Sequence, residues 1–393
     1  MSAATVSATR HTKKKFSLPV SKIPAVVAIG VFILMFLYGQ FAYGKFFRLG
    51  TVSTLLNDNA YLFIMAVGMT IPILTGGIDL SVGAVVALSS VVGGSLAVAG
   101  VPWYLCALIM VLVGSVFGLL SGTLIRYFDM QPFIATLATM YLGQGLAGMI
   151  STDPIQLLDG NAGGLRNFNY TFTLYDGRKA NDLDVSVALL IAIVVVIFAY
   201  WVMHRTRSGR TIYAMGAPSK QSADLMGLPT GRSLQLIYLL SGTFSGIASV
   251  VYVAGVGKAQ NVMGQGWELN AITCAVIGGT IITGGSGYVL GTVVGTLVYT
   301  TMNLIITRDG RVPSTWMTII TGIVLLLFVV IQRLIIVGAE RRTRTATLAS
   351  AQTVDPSAAQ TDVSAGAGAG TGTGANSGTG TSRPGAAQAT QRE

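Results

Sequence analysis

The chain has 393 residues, 52% of them hydrophobic and only 10% charged, with a mean hydropathy of +0.66 and a formal net charge of +10. Soluble domains carry about 25% charged residues, so a soluble globular fold is excluded. The excess positive charge reads as basic flanks of membrane spans rather than as a nucleic-acid footprint.

Apolar runs of roughly 20 residues, the length of a bilayer-crossing helix, recur along the chain. They define an all-α polytopic membrane protein; the short alternating segments of a β-barrel are not seen. Residues 1–22 are polar and basic, with Arg10, Lys13, Lys14, Lys15 and Lys22, and read as a cytoplasmic N-terminal segment. The apolar run 23–43 resembles a signal-peptide core in having basic residues before it. It is too long for one and no small-residue cleavage site closes it, so it reads as the first span.

Further spans are expected at 59–75, 81–99, 102–125, 132–150, 184–203, 233–255, 269–283, 289–306 and 315–336, giving about ten in a transmembrane domain of residues 23–338. An even number puts both termini on one side. Arg333, Arg341, Arg342 and Arg344 after the last span match the N-terminal lysines and make that side cytoplasmic. The basic stretch from His204 to Arg232 falls inside, and the segment holding Asp153, Asp159, Asp176 and Asp182 falls outside. Arg308 and Arg311 are an exception on the outer side. Residues 339–393 turn to Ala, Gly, Thr and Ser, too apolar-poor to offset ordering entropy, and are expected to be a disordered cytoplasmic tail.

One stretch interrupts the spans conspicuously: Thr75-Gly76-Gly77-Ile78-Asp79-Leu80-Ser81-Val82-Gly83. Glycines can end one helix and an acidic residue can open the next, so a helix break is expected there. Ile277-Gly278-Gly279-Thr280 and Thr283–Gly287 echo it. Glycine interruptions at matching places in two halves indicate an internal repeat with the pathway near the breaks.

Phosphate-loop, zinc-protease, nucleophile-elbow and Cys-x-x-Cys motifs are absent, so nothing points to an enzyme active site or to a bound cofactor. Cys106 and Cys274 lie apart in apolar runs, and His11 and His204 have no ligand spacing around them. The substrate-pathway candidates are Gly76, Gly77, Asp79, Ser81, Asn57, Asn59, Glu268 and Asn270. For Asp79 two readings compete, a cap on the helix starting near Leu80, assisted by Ser81, or a pathway residue that bonds a hydroxyl or carries a proton. The cap is preferred. Asn57 and Asn59 are helix-start signals first and substrate contacts second. Glu268 caps a helix or lines an entrance. Gly114, Gly118 and Gly122 form a small-residue stripe, repeated at Gly242 and Gly246 and at Gly291 and Gly295. Tight packing within the chain is the preferred reading, with a subunit interface the alternative.

The segment 209–232 has a short amphipathic helix beginning at Ser219 and stopped by Gly227 and Pro229. A docking element for a soluble partner explains this better than a plain connection, although a membrane-surface helix fits too.

Taken together, Ala66-Val67-Gly68-Met69-Thr70, the Gly76–Gly83 stretch and Val276-Ile277-Gly278-Gly279-Thr280 resemble the permease subunits of bacterial sugar ABC importers of the ribose/xylose/galactose group. Asn57-Asp58-Asn59-Ala60 and Ser314-Thr315-Trp316 look most like galactofuranose-type permeases. The resemblance implies an inner-membrane permease that pairs with a second permease subunit, like or unlike itself. It also implies a periplasmic or lipid-anchored sugar-binding protein and a cytoplasmic ATPase that uses the ATP. The ATPase-contacting loop would comprise Gly216, Ala217, Ser219, Lys220, Ser222, Ala223, Asp224 and Gly227. Two departures stand out: Ala217-Pro218 where Gly-Asn is usual, and Asn270 where Asp is usual. The competing functional class is a proton-coupled secondary transporter of a small neutral solute using Asp79.

Overall fold

A backbone in hydrocarbon must satisfy its own hydrogen bonds, and helices do so without help from neighbours. The computed structural model describes residues 23–157, 163–175, 182–216, 220–310, 313 and 315–352. Fourteen helices occur among them: α1 (Ile23–Tyr43), α2 (Leu49–Asp58), α3 (Ala60–Leu74), α4 (Val82–Val98), α5 (Trp103–Tyr127), α6 (Pro132–Ile150), α7 (Gly163–Asn167), α8 (Val187–Arg205), α9 (Arg207–Gly216), α10 (Lys220–Leu225), α11 (Thr230–Val256), α12 (Trp267–Ile277), α13 (Val289–Asp309) and α14 (Thr315–Gln352).

Seven of these contain stretches long and apolar enough to cross a membrane: α1, α5, α6, α8, α11, α13 and α14. The protein is therefore a multi-pass α-helical membrane protein. Three of the expected spans appear instead as shorter apolar helices, α3, α4 and α12, of 15, 17 and 11 residues. The physical reason lies in the glycines. The expected span 269–283 stops at Ile277, where Gly278 and Gly279 follow, and α3 stops at Leu74 before Gly76 and Gly77.

Both stops have the same geometry. Gly76 (φ +77°) donates to the Ile73 carbonyl, and the next N–H, that of Gly77, reaches Pro72 five residues back. Gly279 (φ +93°) donates to Val276 and Thr280 N–H reaches Ala275. This is the Schellman termination, in which a left-handed residue lets two N–H groups turn back onto orphan carbonyls. The same pattern closes α4 at Gly100 and α10 at Gly227. The sequence echo is thus partly a shared way of ending helices.

The tightest contact in the bundle is the crossing of α5 and α11. A β-carbon on Gly114 would run into the Gly242 carbonyl, one on Gly118 into the Tyr238 carbonyl, and one on Gly122 would meet the Gln235 backbone at 3.0 Å. Gly246 lies equally close to Val111. Gly291 presses against Gly278, just past the end of α12, and Gly295 against Cys274 within it. Polar cross-ties join the same layer: Thr70 Oγ1 and Thr292 Oγ1 are 2.7 Å apart between α3 and α13, and Gln332 Nε2 donates to the Val276 carbonyl at 2.8 Å.

One end of the bundle carries α9, α10, the turn between α5 and α6, and the glycine breaks. The opposite end carries α2, α7 and four short strands that the sequence reading did not anticipate: β1 (Ile155–Gln156), β2 (Thr171–Tyr175), β3 (Leu183–Ser186) and β4 (Lys258–Ala259). β1 pairs antiparallel with β4, and β2 with β3. Arg308, the basic exception noted above, donates to Thr51 Oγ1 at 3.2 Å and lies over the Phe46 ring.

The bundle described so far belongs to a unit of residues 1–336; a second unit comprises 337–393, of which residues 337–352 are helical. Helix therefore persists beyond residue 339, where the sequence suggested a tail. Residues 1–22 and 353–393 lie outside the described residues.

Candidate functional site

Asp79 lies in the break between α3 and α4 and has no exposed surface. Its Oδ1 accepts from Ser81 N–H at 3.0 Å and from Ser81 Oγ at 2.6 Å, and its Oδ2 accepts from Ser241 Oγ of α11 at 2.6 Å. Helix α4 begins at Val82 with Ser81 at the N-cap position, and the Ser81 side chain makes no cap bond. Asp79 is thus two residues too early to cap the helix directly. It orders the turn that leads in, and it binds that turn to α11. Three donors on one buried carboxylate offset the cost of removing it from water.

The two breaks touch each other. Gly285 N–H donates to the Leu74 carbonyl at 2.8 Å, and a β-carbon on Gly76 would lie 3.2 Å from the Thr283 carbonyl oxygen. Gly216, the last residue of α9, wedges between them: a β-carbon there would strike both the Leu74 carbonyl and the Gly285 nitrogen. Tyr213 of α9 donates its hydroxyl to the Gly287 carbonyl at 2.8 Å, and burial pushes that phenol up to about 12. One helix therefore contacts both interruptions at once. Beside them, a cavity of about 320 Å³ is lined by Thr75, Gly76, Gly77, Asp129, Gln131 and Met215 among others.

Glu268, in the first turn of α12, lies against the first turn of α4. A β-carbon on Gly83 would lie 2.6 Å from Glu268 Oε2 and would strike the Gly264 carbonyl. Gly264 and Gly266 both have positive φ, which folds the chain back before α12. A carboxylate in the first turn of a helix sits favourably against the unpaired N–H groups there. Asn270 follows two residues later and is half-buried. Gly76, Gly77, Asp79 and Ser81 therefore share one break, while Glu268 meets α4 at Gly83, on the side where Trp267 packs against Tyr61.

Asn57 and Asn59 sit elsewhere, at the opposite end. Asn57 Nδ2 donates to Ser53 Oγ and the Asp184 carbonyl, and its Oδ1 accepts from Ser186 N–H and Oγ. These bonds tie α2 to β3. Asn59 Nδ2 donates back to the Leu55 carbonyl at 2.9 Å, and no side-chain cap bond is made to α3.

Of the loop candidates, Ala217 and Ser219 lie outside the described residues. Lys220 begins α10, Ala223 is buried, and Asp224 accepts a hydrogen bond from Thr230 Oγ1. Leu225 and Met226 project outward, with 90% and 64% of their surface exposed. Gly227 ends the helix, as the sequence suggested. Sequence reasoning missed Ser241 and Tyr238, both on α11 and both at the break. The one signal for them was their position beside the Gly242–Gly246 stripe.

Residues 51–329 match a family described as the permease component of branched-chain amino acid transport systems. The chain belongs to this permease family. Among its relatives, the fructose import permease protein FruG of Bifidobacterium longum is 51% identical over 87% of this chain and 100% of its own length. The inner membrane ABC transporter permease protein YjfF of Escherichia coli is 35% identical, covering 81% of this chain and 95% of that protein. The ribose import permease protein RbsC of Bacillus subtilis is 34% identical over 78% and 91%. No solved structure matches the chain. The protein is thus a non-catalytic permease subunit of an ATP-binding cassette importer. Among the described residues no His, Cys, Asp and Glu cluster fit for a metal ion occurs.

Proposed function

We propose that this permease imports a monosaccharide across the bacterial inner membrane, with a fructose-type sugar as its substrate. The 51% identity to a fructose import permease supports that sugar over the galactofuranose suggested by the short motifs, since it extends over nearly the whole chain. Ten elements cross the membrane in this reading, the seven long helices together with α3, α4 and α12, and the two broken pairs are related as an internal repeat. The α9–α10 end faces the cytoplasm, as do both termini, and takes the partner ATPase. The opposite end receives sugar from a binding protein. A second permease subunit completes the pore.

The observation that carries this reading is the contact of α9 with both breaks through Gly216 and Tyr213. A push on the α9–α10 segment by an ATPase would reach the two interruptions directly, and an interruption is where a helix is easiest to bend. The scarcity of ionisable side chains in the spans suits a neutral solute, because a charged one calls for a buried counter-charge.

The test is uptake by proteoliposomes holding the permease, its ATPase and its binding protein. Labelled fructose should accumulate on adding ATP, and unlabelled fructose should compete better than ribose or galactose. Preferential competition by ribose or galactose would refute the fructose assignment.

A further inference from the structure

Tyr238 is completely buried, and its hydroxyl has no hydrogen-bond partner. Buried polar groups are nearly always paired, so such a group calls for an explanation. The hydroxyl faces the first break: a β-carbon on Gly77 would lie 2.5 Å from it. Gly77 stands two residues before Asp79 in that break.

Tyr238 and Ser241 are three residues apart on α11, so their side chains leave the same face, about 4.5 Å apart along the axis. Ser241 Oγ already donates to Asp79 Oδ2 at 2.6 Å. Two donors therefore stand in file beside one carboxylate, one in use and one idle. The cavity lined by Gly76, Gly77, Pro132 and Leu234 borders the same stretch and leaves it room to shift. Helix α11 runs unbroken from Thr230, whose hydroxyl bonds Asp224 of the α10 segment, so displacement of that segment is carried along a rigid rod to Tyr238 and Ser241.

We propose that Tyr238 and Ser241 are alternate hydrogen-bond donors to Asp79, exchanged as the transport cycle moves the Gly76–Ser81 break along α11 by one helical step. Both are positioning residues; neither contacts the sugar. The unpaired Tyr238 hydroxyl is then the vacant position of a two-position latch. A buried group paired in only one of two states biases the equilibrium between them. The link to transport rests on the permease reading, while the donor exchange itself does not.

Tyr238→Phe removes only an oxygen that bonds nothing in this structure. A static packing role predicts unchanged melting and unchanged uptake. The latch predicts an unchanged melting temperature with ATP-driven uptake lowered about tenfold, the worth of one hydrogen bond to a charged group in the alternate state. A second measurement is independent of transport. In a Ser241→Ala background, Asp79 falls back on Tyr238, so adding Tyr238→Phe should then lower the melting temperature, although it does not in the wild type. Wild-type uptake by Tyr238→Phe, or melting shifts that simply add, would overturn the latch. Absence of ATP-driven uptake in the wild-type protein would instead overturn the permease reading, leaving the melting cycle to judge the donor exchange.

Discussion

Asp79 accepts three hydrogen bonds, two from Ser81 and one from Ser241, and this decides what its replacement should do. Asp79→Ala leaves three buried donors facing an apolar gap, for an expected loss of about 3 kcal/mol. Asp79→Asn keeps one acceptor oxygen for the fixed Ser81 N–H, and its amide can donate to a serine hydroxyl, so the loss should be about 1 kcal/mol. Unfolding of the purified variants in detergent measures both, and equal losses would contradict the network. The link from Asp79 to Ser81 was legible in the sequence because it spans two residues. Ser241 was not, because it lies 162 residues away and one serine in an apolar helix has no distinguishing local pattern. The same limit hid the ties from Asn57 to Asp184 and Ser186, which make that residue an anchor for β3.

At the scale of elements, glycine is used for two purposes that respond differently to substitution. In the α5–α11 crossing it allows backbones to touch. Gly118→Leu has backbone, not flexible side chain, in its way, so a loss of about 3 kcal/mol or more is expected, read as loss of folded protein in the membrane. Gly145→Leu on α6 has nothing within 4 Å of its β-carbon and should retain folded protein in the membrane, which makes it the matched control. Gly216 serves instead to bring α9 against both breaks. Gly216→Ala should separate them: ATP hydrolysis by the assembled complex persists while uptake per ATP falls about tenfold, a change of about 1.4 kcal/mol. Unchanged uptake per ATP would remove α9 from the coupling route. The stripes and the Gly76-Gly77 break could be read ahead of the structure because each is a short-range pattern with one physical meaning. The helix α9 and the strands could not, since α9 is polar overall and β1 and β4, a hundred residues apart in sequence, pair over only two residues each.

Across the whole molecule, hydropathy marked every long helix, because a run of apolar residues needs no tertiary information to be recognised. It overestimated α12, whose apolar character continues past Ile277 while its backbone is turned by Gly278 and Gly279. The α9–α10 segment, the paired breaks and the buried Asp79 network form one connected route in this structure, from α9 and α10 through Gly216 and α11 to the break. On the proposed reading that route lets a permease be driven from outside its own chain, with Asp79 holding the break to α11. The most direct measurement is sugar uptake into proteoliposomes containing the permease, its ATPase and its binding protein, with ATP and a proton gradient supplied separately. Uptake should require ATP and the binding protein and ignore the gradient. Uptake driven by the gradient alone, with ATP absent, would contradict it.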